Sequence, residues 1–321
     1  MDAKITKDRL GNFLSYEWLK IIATAVMVVI LLNVLFATVA TRTTAGQHFT
    51  LVVYKDVNMP VMAADDLEDK MSSGSIFSYD VLSVQVSQIA NDYFSNLQLQ
   101  ARFSAGDIDA TILTDMTFYE DGCLDSCPHG KEVSSQSNLH KFVNGYLAAC
   151  AQIDEYMNSC EEYLNTFYAG AFRTNELDRA AVEAYFRTER MVGDKRYKNE
   201  KSVLAGIEAE AGRIEKLKAD YLQFEKNIEE GLVGIKTVPI TKYDEKHQEY
   251  TEDLPYAIDL SGLSKIKEIM SVAYKVGDEV HTDETTGLSL VLHPWADLQK
   301  DLQFEQIAFV NYLVQKYNTV V

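Results

Sequence analysis

The sequence has few basic side chains for its length. Its 321 residues include 30 Lys and Arg against 48 Asp and Glu, which gives a formal net charge of -18. A surface this negative repels the phosphates of nucleic acids and the headgroups of anionic lipids, so the charge argues against nucleic-acid binding. Hydrophobic residues make up 47% of the chain and charged residues 24%, and these proportions exclude wholesale disorder.

The sequence also lacks the short motifs of common catalytic and metal sites. It has no Gly-x-Ser-x-Gly elbow, no His-Glu-x-x-His and no phosphate-binding Gly-rich loop. Ser264 and Lys267 match the Ser-x-x-Lys of penicillin-recognising enzymes, but the partner motifs are missing and a helix cap explains Ser264 better. The six histidines show no metal-ligand spacing, although His293 follows a predicted strand and could line a cleft. We expect no metal, no cofactor and no enzymatic activity.

Residues 21–40 form a long apolar run without a charged side chain. A helix of this length, at about 1.5 Å per residue, crosses a hydrocarbon core of about 30 Å, so the run predicts a transmembrane helix. More cations precede the run than follow it, which places residues 1–20 in the cytoplasm and the rest of the chain outside the cell. A cleaved signal peptide is the alternative, but the run exceeds the usual signal core of about 7 to 15 residues.

Four cysteines follow the apolar run, as expected for disulfide bonds in an oxidising compartment. They are Cys123, Cys127, Cys150 and Cys160. An unbroken helix through the last two would hold them about 15 Å apart, too far for a bridge. Either the Cys123 and Cys127 loop is bridged to this helix, or its cysteines pair locally and the helix thiols pack as small hydrophobic groups. A zinc site that includes His129 is a weaker alternative.

Residues 138–233 show only the period of amphipathic helices. Apolar side chains recur three and four residues apart from 143 to 167 and again from 204 to 232, and a shorter helical stretch covers 176–192. Stripes of this kind pack against one another in a bundle. We therefore predict that residues 138–233 form a helical subdomain inserted into a second domain.

The segments on either side of this interval alternate strand-like and helix-like runs. The predicted elements are strands at 48–57, 79–86, 108–113, 234–240, 256–260 and 288–293, and helices at 87–103, from about 261–264 onward, and at 302–317. Strand, helix and strand in succession indicate a parallel sheet. The predicted fold class is therefore α/β, with an N-terminal transmembrane helix and then a parallel-sheet domain of residues 47–137 and 234–321 split by the helical insert.

One short motif in the sequence resembles a known protein family. The Gly-Asp-x-Asp at residues 106–109, between a helix end and a strand, resembles type II periplasmic (solute-binding) domains. The short basic head and the Tyr-x-Trp before the apolar run resemble single-span extracytoplasmic proteins of Firmicutes. The resemblance covers residues 47–120 and 235–321 and implies a solute-binding fold. The helical insert departs from the α/β second lobe of that family.

A ligand of such a domain is expected beyond the carboxyl ends of the parallel strands, where loops converge. The candidate binding residues are Lys55, Asp56, Asn58, Thr114, Asp115 and Tyr119. The leading function is membrane-anchored, non-enzymatic recognition of a small solute or a protein partner outside the cell. The alternatives are a scaffold subunit that assembles with a membrane protein through the helical insert, and a cell-envelope hydrolase.

Overall fold

The computed structural model describes residues 18, 20, 22–34, 47–74, 76–90, 93–117, 136–276, 278–294 and 303–318. The chain divides into two units, Met1–Arg42 and Thr43–Val321. In the first unit, residues 22–34 are helical and their apolar side chains are exposed. Among the described residues, no helix combines the length and the apolar character that a membrane crossing requires. Residues 21 and 35–40 of the predicted span lie outside this description, so the transmembrane helix stays a prediction.

A mixed sheet of six described strands forms the centre of the second unit. The strands of the unit are β1 (His48–Val53), β2 (Ser83–Gln88), β3 (Ala110–Thr114), β4 (Gly234–Tyr243), β5 (Glu249–Asp259), β6 (Val272–Val276), β7 (Glu279–Glu284) and β8 (Leu288–Leu292). The six-stranded order is β2-β1-β3-β8-β5-β4, while β6 and β7 pair separately. Strand β1 is parallel to β2 and β3, whereas β8, β5 and β4 add as antiparallel neighbours.

The predicted α/β class is therefore confirmed, but a wholly parallel sheet is wrong. Three strands of this sheet follow the helical interval. Strands β4 and β5 form an antiparallel hairpin, and β8 pairs antiparallel with β3. A hairpin needs no crossover helix, whereas each parallel pair does. The helix predicted from about 261–264 onward is also wrong, because this stretch holds only a 3-10 turn at Ile266–Glu268.

Helices cover both faces of the sheet. They are α1 (Val61–Ser72), α2 (Tyr93–Ala105), α3 (Asn138–Gly145), α4 (Ile153–Phe167), α5 (Arg179–Tyr185), α6 (Glu200–Glu229) and α7 (Gln303–Tyr317), and a π-helical turn at Phe186–Arg190 continues α5. Side chains alternate along β1, so Phe49 and Leu51 enter one core with α1, α4, α6 and α7. Val52 enters the opposite core with α2 and α3.

The interval 138–233 contributes helices to the same core as the sheet. Tyr156 and Cys160 of α4 and Ile214 of α6 belong to the buried cluster that contains Phe49 and Leu51. The contacts between residues group residues 43–321 into one compact unit. The separate helical subdomain of residues 138–233 stays a prediction.

The two described cysteines lie on opposite faces of the sheet. The periodic stripe is interrupted between α3 and α4, and Cys150 lies in this break, in the core with Val52. Cys160 lies in α4, in the core with Leu51. Both thiols are buried and free, so the predicted bridge from either of them to the preceding loop is not formed. Cys123 and Cys127 lie outside the described residues, and their local pairing stays a prediction.

Candidate functional site

Asp56 joins the carboxyl ends of β1 and β3. Its Oδ2 accepts hydrogen bonds from the backbone N–H of Thr114 at 3.0 Å, from the Thr114 hydroxyl and from Nδ2 of Asn138 at 3.0 Å. Burial raises the pKa of Asp56, and the hydrogen bonds from Thr114 and Asn138 oppose that shift. Two of the predicted binding residues, Asp56 and Thr114, therefore bind each other and fix the loop geometry at this edge of the sheet.

The other four predicted residues at this edge are each placed differently. The Lys55 ammonium lies 5.4 Å from the centre of the Tyr54 ring. Asn58 pairs through its backbone with Ser271, next to β6. Tyr119 lies outside the described residues. Asp115 is the predicted residue that the structure places in a cleft.

This cleft has a volume of about 350 Å³ and lies between the end of β3, the start of α3 and strand β4. The lining residues within the described part of the chain are Asp115, Thr117, Gln136, Ser137, His140, Thr237, Val238 and Pro239. Six of these eight side chains are polar, since only Val238 and Pro239 are not. Pockets for small molecules measure about 300–1,000 Å³ and are usually mostly apolar, so the polar lining is the distinctive property of this one.

A glycine turn holds Asp115 at the mouth of the cleft. The Asp115 backbone N–H donates to the carbonyl oxygen of Gly287 at 2.8 Å. Gly287 has φ +74°, and a Cβ at this position would lie 2.7 Å from Cγ of Met116. Only glycine combines this left-handed backbone with so close an approach. The turn between β7 and β8 thereby supports the exposed Asp115 from behind.

The first turn of α3 forms the second wall. Ser137 is the N-cap, and its Oγ accepts the backbone N–H of His140 at 3.1 Å. Leu139 and Phe142 are buried, so they hold the helix while His140 stays at the cleft. Burial lowers the pKa of His140, and the Asp115 carboxylate opposes this shift. The imidazole is therefore uncharged at neutral pH.

Strand β4 forms the third wall and is tied to α3. Val238 and Ile240 are buried in the core that also contains Phe142. Nδ2 of Asn144, in the last turn of α3, donates to the carbonyl oxygen of Pro239 at 3.3 Å. Proline has no N–H for a ladder bond and is therefore confined to edge positions such as this one. Thr237, next to this contact, is exposed toward the cleft.

His293 does not line the cleft, contrary to one expectation from the sequence. It is fully buried, with Nε2 2.9 Å from Oγ1 of Thr111. Its ring packs against Phe103 and Phe142, at centroid distances of 5.1 and 5.8 Å. Burial lowers the pKa of His293 to about 3. The residue is a neutral core histidine, and Trp295 lies outside the described residues.

A buried ionic cluster lies away from the cleft, and no local pattern in the sequence predicts it. Asp80 accepts from Nη2 of Arg190 at 2.5 Å and from Nη2 of Arg196 at 2.7 Å. Glu210 on α6 accepts from Nη1 of Arg213 at 3.0 Å and from the Tyr79 hydroxyl at 2.8 Å. Arg190 ends the π-helical turn, a local geometry that frequently occurs at functional sites.

Glu305 extends this cluster to α7. Its carboxylate accepts from the backbone N–H of Ser78 at 3.2 Å and lies 3.8 Å from Nε of Arg213. Burial raises the pKa of Glu305, and Arg213 and Ser78 oppose the shift. Asp80, Glu210, Arg213 and Glu305 are all buried, so the cluster joins four segments of the chain rather than facing a ligand.

The cleft is thus the better candidate site, since it is open to solvent and lined by polar groups. Its described lining residues offer hydrogen bonds and the carboxylate of Asp115. The described residues include no group of three or more His, Cys, Asp or Glu side chains placed to hold a metal ion. Comparison of the chain with protein-family models, with curated proteins and with solved structures yields no match.

Proposed function

We propose that this protein is a non-enzymatic recognition protein that binds a small polar solute in the cleft between Asp115, His140 and Thr237. The observation that carries the proposal is the polar lining of this cleft at the carboxyl end of β3. Ligands of open α/β sheets bind at that end of the strands. The membrane anchor and the location outside the cell belong to the same proposal, on the basis of the apolar run and its flanking charges.

The walls of the cleft are held by contacts that do not involve a ligand. Gly287 supports Asp115, the Ser137 cap supports His140, and Asn144 ties α3 to β4. A site built in this way loses little conformational freedom when a solute enters, which favours affinity. Asp115 accepts hydrogen bonds from the solute, while the neutral imidazole of His140 both donates and accepts.

The two alternative functions fit these contacts less well. A scaffold that assembled through the helical insert would need a free apolar helix face, but Tyr156, Leu164 and Phe167 of α4 are buried in the core. A hydrolase would need an activated nucleophile. In the cleft the Ser137 hydroxyl oxygen already accepts the His140 backbone N–H as a helix cap.

Thermal unfolding of the full chain with a panel of small solutes tests the proposal. The panel contains sugars, aliphatic amines, amino acids and dicarboxylates. We expect at least one class to raise Tm, and we expect Thr237→Trp to abolish the shift because an indole at this exposed position fills the cleft. Asp154→Asn, which changes an exposed acid in the first turn of α4, is the matched control and should keep it. A panel without any effect, or a shift that survives Thr237→Trp, overturns the proposal.

A further inference from the structure

We propose that Lys236 is a positioning residue of the cleft and sets the spacing between two of its walls. It directly precedes Thr237 on strand β4. Its ammonium group acts on Asp115 through Ser289 and Gly287. This inference rests on the proposed function, because it concerns the same cleft. It follows from the contacts that connect these residues and from the hydrogen atoms that each group has to donate.

A series of hydrogen bonds connects Lys236 to Asp115. Nζ of Lys236 donates to Oγ of Ser289 at 3.1 Å, and this hydroxyl donates to the carbonyl oxygen of Gly287 at 2.8 Å. The same carbonyl oxygen accepts the backbone N–H of Asp115 at 2.8 Å. Ser289 is fully buried, so water does not compete for its hydroxyl group. This relay therefore joins the β4 wall of the cleft to the wall that Asp115 forms.

The donors of Lys236 fix the direction of the relay. An ammonium group has three N–H donors and no acceptor, whereas a serine hydroxyl has one O–H. Oγ of Ser289 therefore accepts from Lys236, and its single hydrogen atom is left for Gly287. Hydrogen bonds in series polarise one another in a poorly solvated interior, so each contact strengthens the next. Lys236 thus determines where the Ser289 hydroxyl points.

Asp259 binds the ammonium group and is also a competing acceptor for the Ser289 hydroxyl. Its Oδ1 lies 3.5 Å from Nζ of Lys236 and accepts the backbone N–H and the hydroxyl of Ser261 at 2.9 and 2.6 Å. Asp259 is directly opposite Ser289 where β5 pairs with β8, which places both side chains on one face of the sheet. A carboxylate is a stronger acceptor than a carbonyl oxygen. Without the ammonium group, we expect the Ser289 hydroxyl to turn from Gly287 to Asp259.

The relay matters for binding because it controls an exposed residue. Asp115 is exposed and directly follows β3, so its contact with Gly287 helps to fix its backbone at the mouth of the cleft. If this contact loosens, Asp115 moves relative to Thr237. A solute that contacts both residues would then have to order them on binding, and this ordering lowers affinity.

Site-resolved hydrogen exchange of the full chain tests the relay without a ligand. We expect Lys236→Met and Ser289→Ala each to accelerate exchange of the Asp115 amide by about three- to tenfold, because both variants break the relay. The amides of Thr114 and His293 should keep their exchange rates, because their acceptors do not belong to the relay. These two amides therefore report any general loss of stability.

Two further variants distinguish positioning from a merely structural role. Lys236→Arg keeps a cation with donors only, so it should keep the slow exchange of Asp115. Lys242→Met removes an exposed ion pair with Glu252 from the same strand and should leave the Asp115 amide unchanged. The inference is overturned if Lys236→Met leaves the Asp115 rate unchanged, or if Lys236→Arg accelerates it equally. A rise shared by the Thr114 amide also overturns it.

Thermal unfolding with the solute panel separates this inference from the proposed function. The solute class that raises Tm of the wild type should raise Tm of Lys236→Met less, because Asp115 is less well positioned. An equal rise overturns the role of Lys236 in binding and leaves the cleft as a solute site. A panel without any effect overturns the proposed function, whereas the exchange rates still decide whether Lys236 positions Asp115.

Discussion

Oδ2 of Asp56 lies 3.0 Å from the backbone nitrogen of Thr114 and accepts its hydrogen bond. The contact joins the loop after β1 to the end of β3, across 58 positions of sequence. The same oxygen accepts from Asn138 at the start of α3. One carboxyl group therefore fixes both β3, which Asp115 directly follows, and the helix that carries His140.

We expect Asp56→Ala to lower the free energy of unfolding by ~2–4 kcal/mol, because two donors of Thr114 and one of Asn138 lose their acceptor in a poorly solvated place. Asp56→Asn keeps an acceptor oxygen and should cost less. Urea denaturation measures both. Asp65→Ala, at an exposed position of α1, is the control. Equal stabilities for Asp56→Ala and Asp65→Ala would show that the contacts of Asp56 contribute nothing.

Two glycines of α6 give a second, internally matched prediction. A Cβ at Gly206 would lie 2.3 Å from Cζ of Phe186 and 2.6 Å from Cε1 of Tyr197, whereas a Cβ at Gly212 meets no atom within 4 Å. Gly206→Ala should therefore destabilise the protein by ~1–3 kcal/mol through overpacking. Gly212→Ala should stabilise it by about 0.5–1 kcal/mol, because alanine favours the helix. Thermal or urea denaturation that gave the same sign for both would contradict the close packing of Phe186 on α6.

The buried ionic cluster yields a third prediction. Replacing Arg190 with Met should destabilise the protein by ~3–5 kcal/mol, because Asp80 and Glu210 are buried and would lose a cationic neighbour. Arg179→Met removes a comparable ion pair with Glu208 that is exposed to water, and its effect should be small. Urea denaturation of the two variants measures the difference. Similar effects would mean that the cluster around Asp80 is solvated in solution.

Many strands and helices could be predicted from the sequence, because burial of one face makes apolar residues recur at a regular spacing. Strands β1 and β8 and helix α7 lie within a few residues of their predicted positions, since each has an apolar pattern of its own. The direction of β4, β5 and β8 in the sheet could not be predicted from the sequence. It depends on which strands pair with one another, and these strands are separated by the helical interval. A buried strand has the same apolar pattern whether its neighbour is parallel or antiparallel.

Some residues of the candidate site could also be predicted from the sequence and others could not. Asp115 was predicted because it directly follows β3, and ligands of α/β sheets bind at the carboxyl ends of the strands. Ser137 carried a local signal as well, since a serine before an apolar helical stretch is a cap candidate. Thr237 carried none. It enters the cleft because α3 packs on β4, about a hundred positions further along the chain, and its neighbours in sequence do not reveal that contact.

The buried His293 gives the last prediction, a dependence of stability on pH. In the unfolded chain the imidazole has its ordinary pKa of 6.5, whereas burial lowers the pKa of His293 in the folded protein to about 3. Between these two values the unfolded state binds a proton that the folded state does not. The free energy of unfolding should therefore fall as the pH falls from about 6.5 toward 3, with a slope of ~1.4 kcal/mol per pH unit from this group.

Above pH 6.5 the histidine is neutral in both states and contributes no slope. Buried Glu305 and Asp56 act in the opposite direction, because raised carboxyl pKa values favour the protonated folded state as the pH falls. The measurement must therefore be a difference between wild type and His293→Gln, whose amide keeps a hydrogen bond to Thr111 and does not titrate. Urea denaturation from pH 8 to pH 4 should give a difference that is constant above pH 6.5 and shifts in favour of the variant below it. A difference that stayed flat over the whole range would show that His293 takes up a proton in the folded protein as readily as in the unfolded chain.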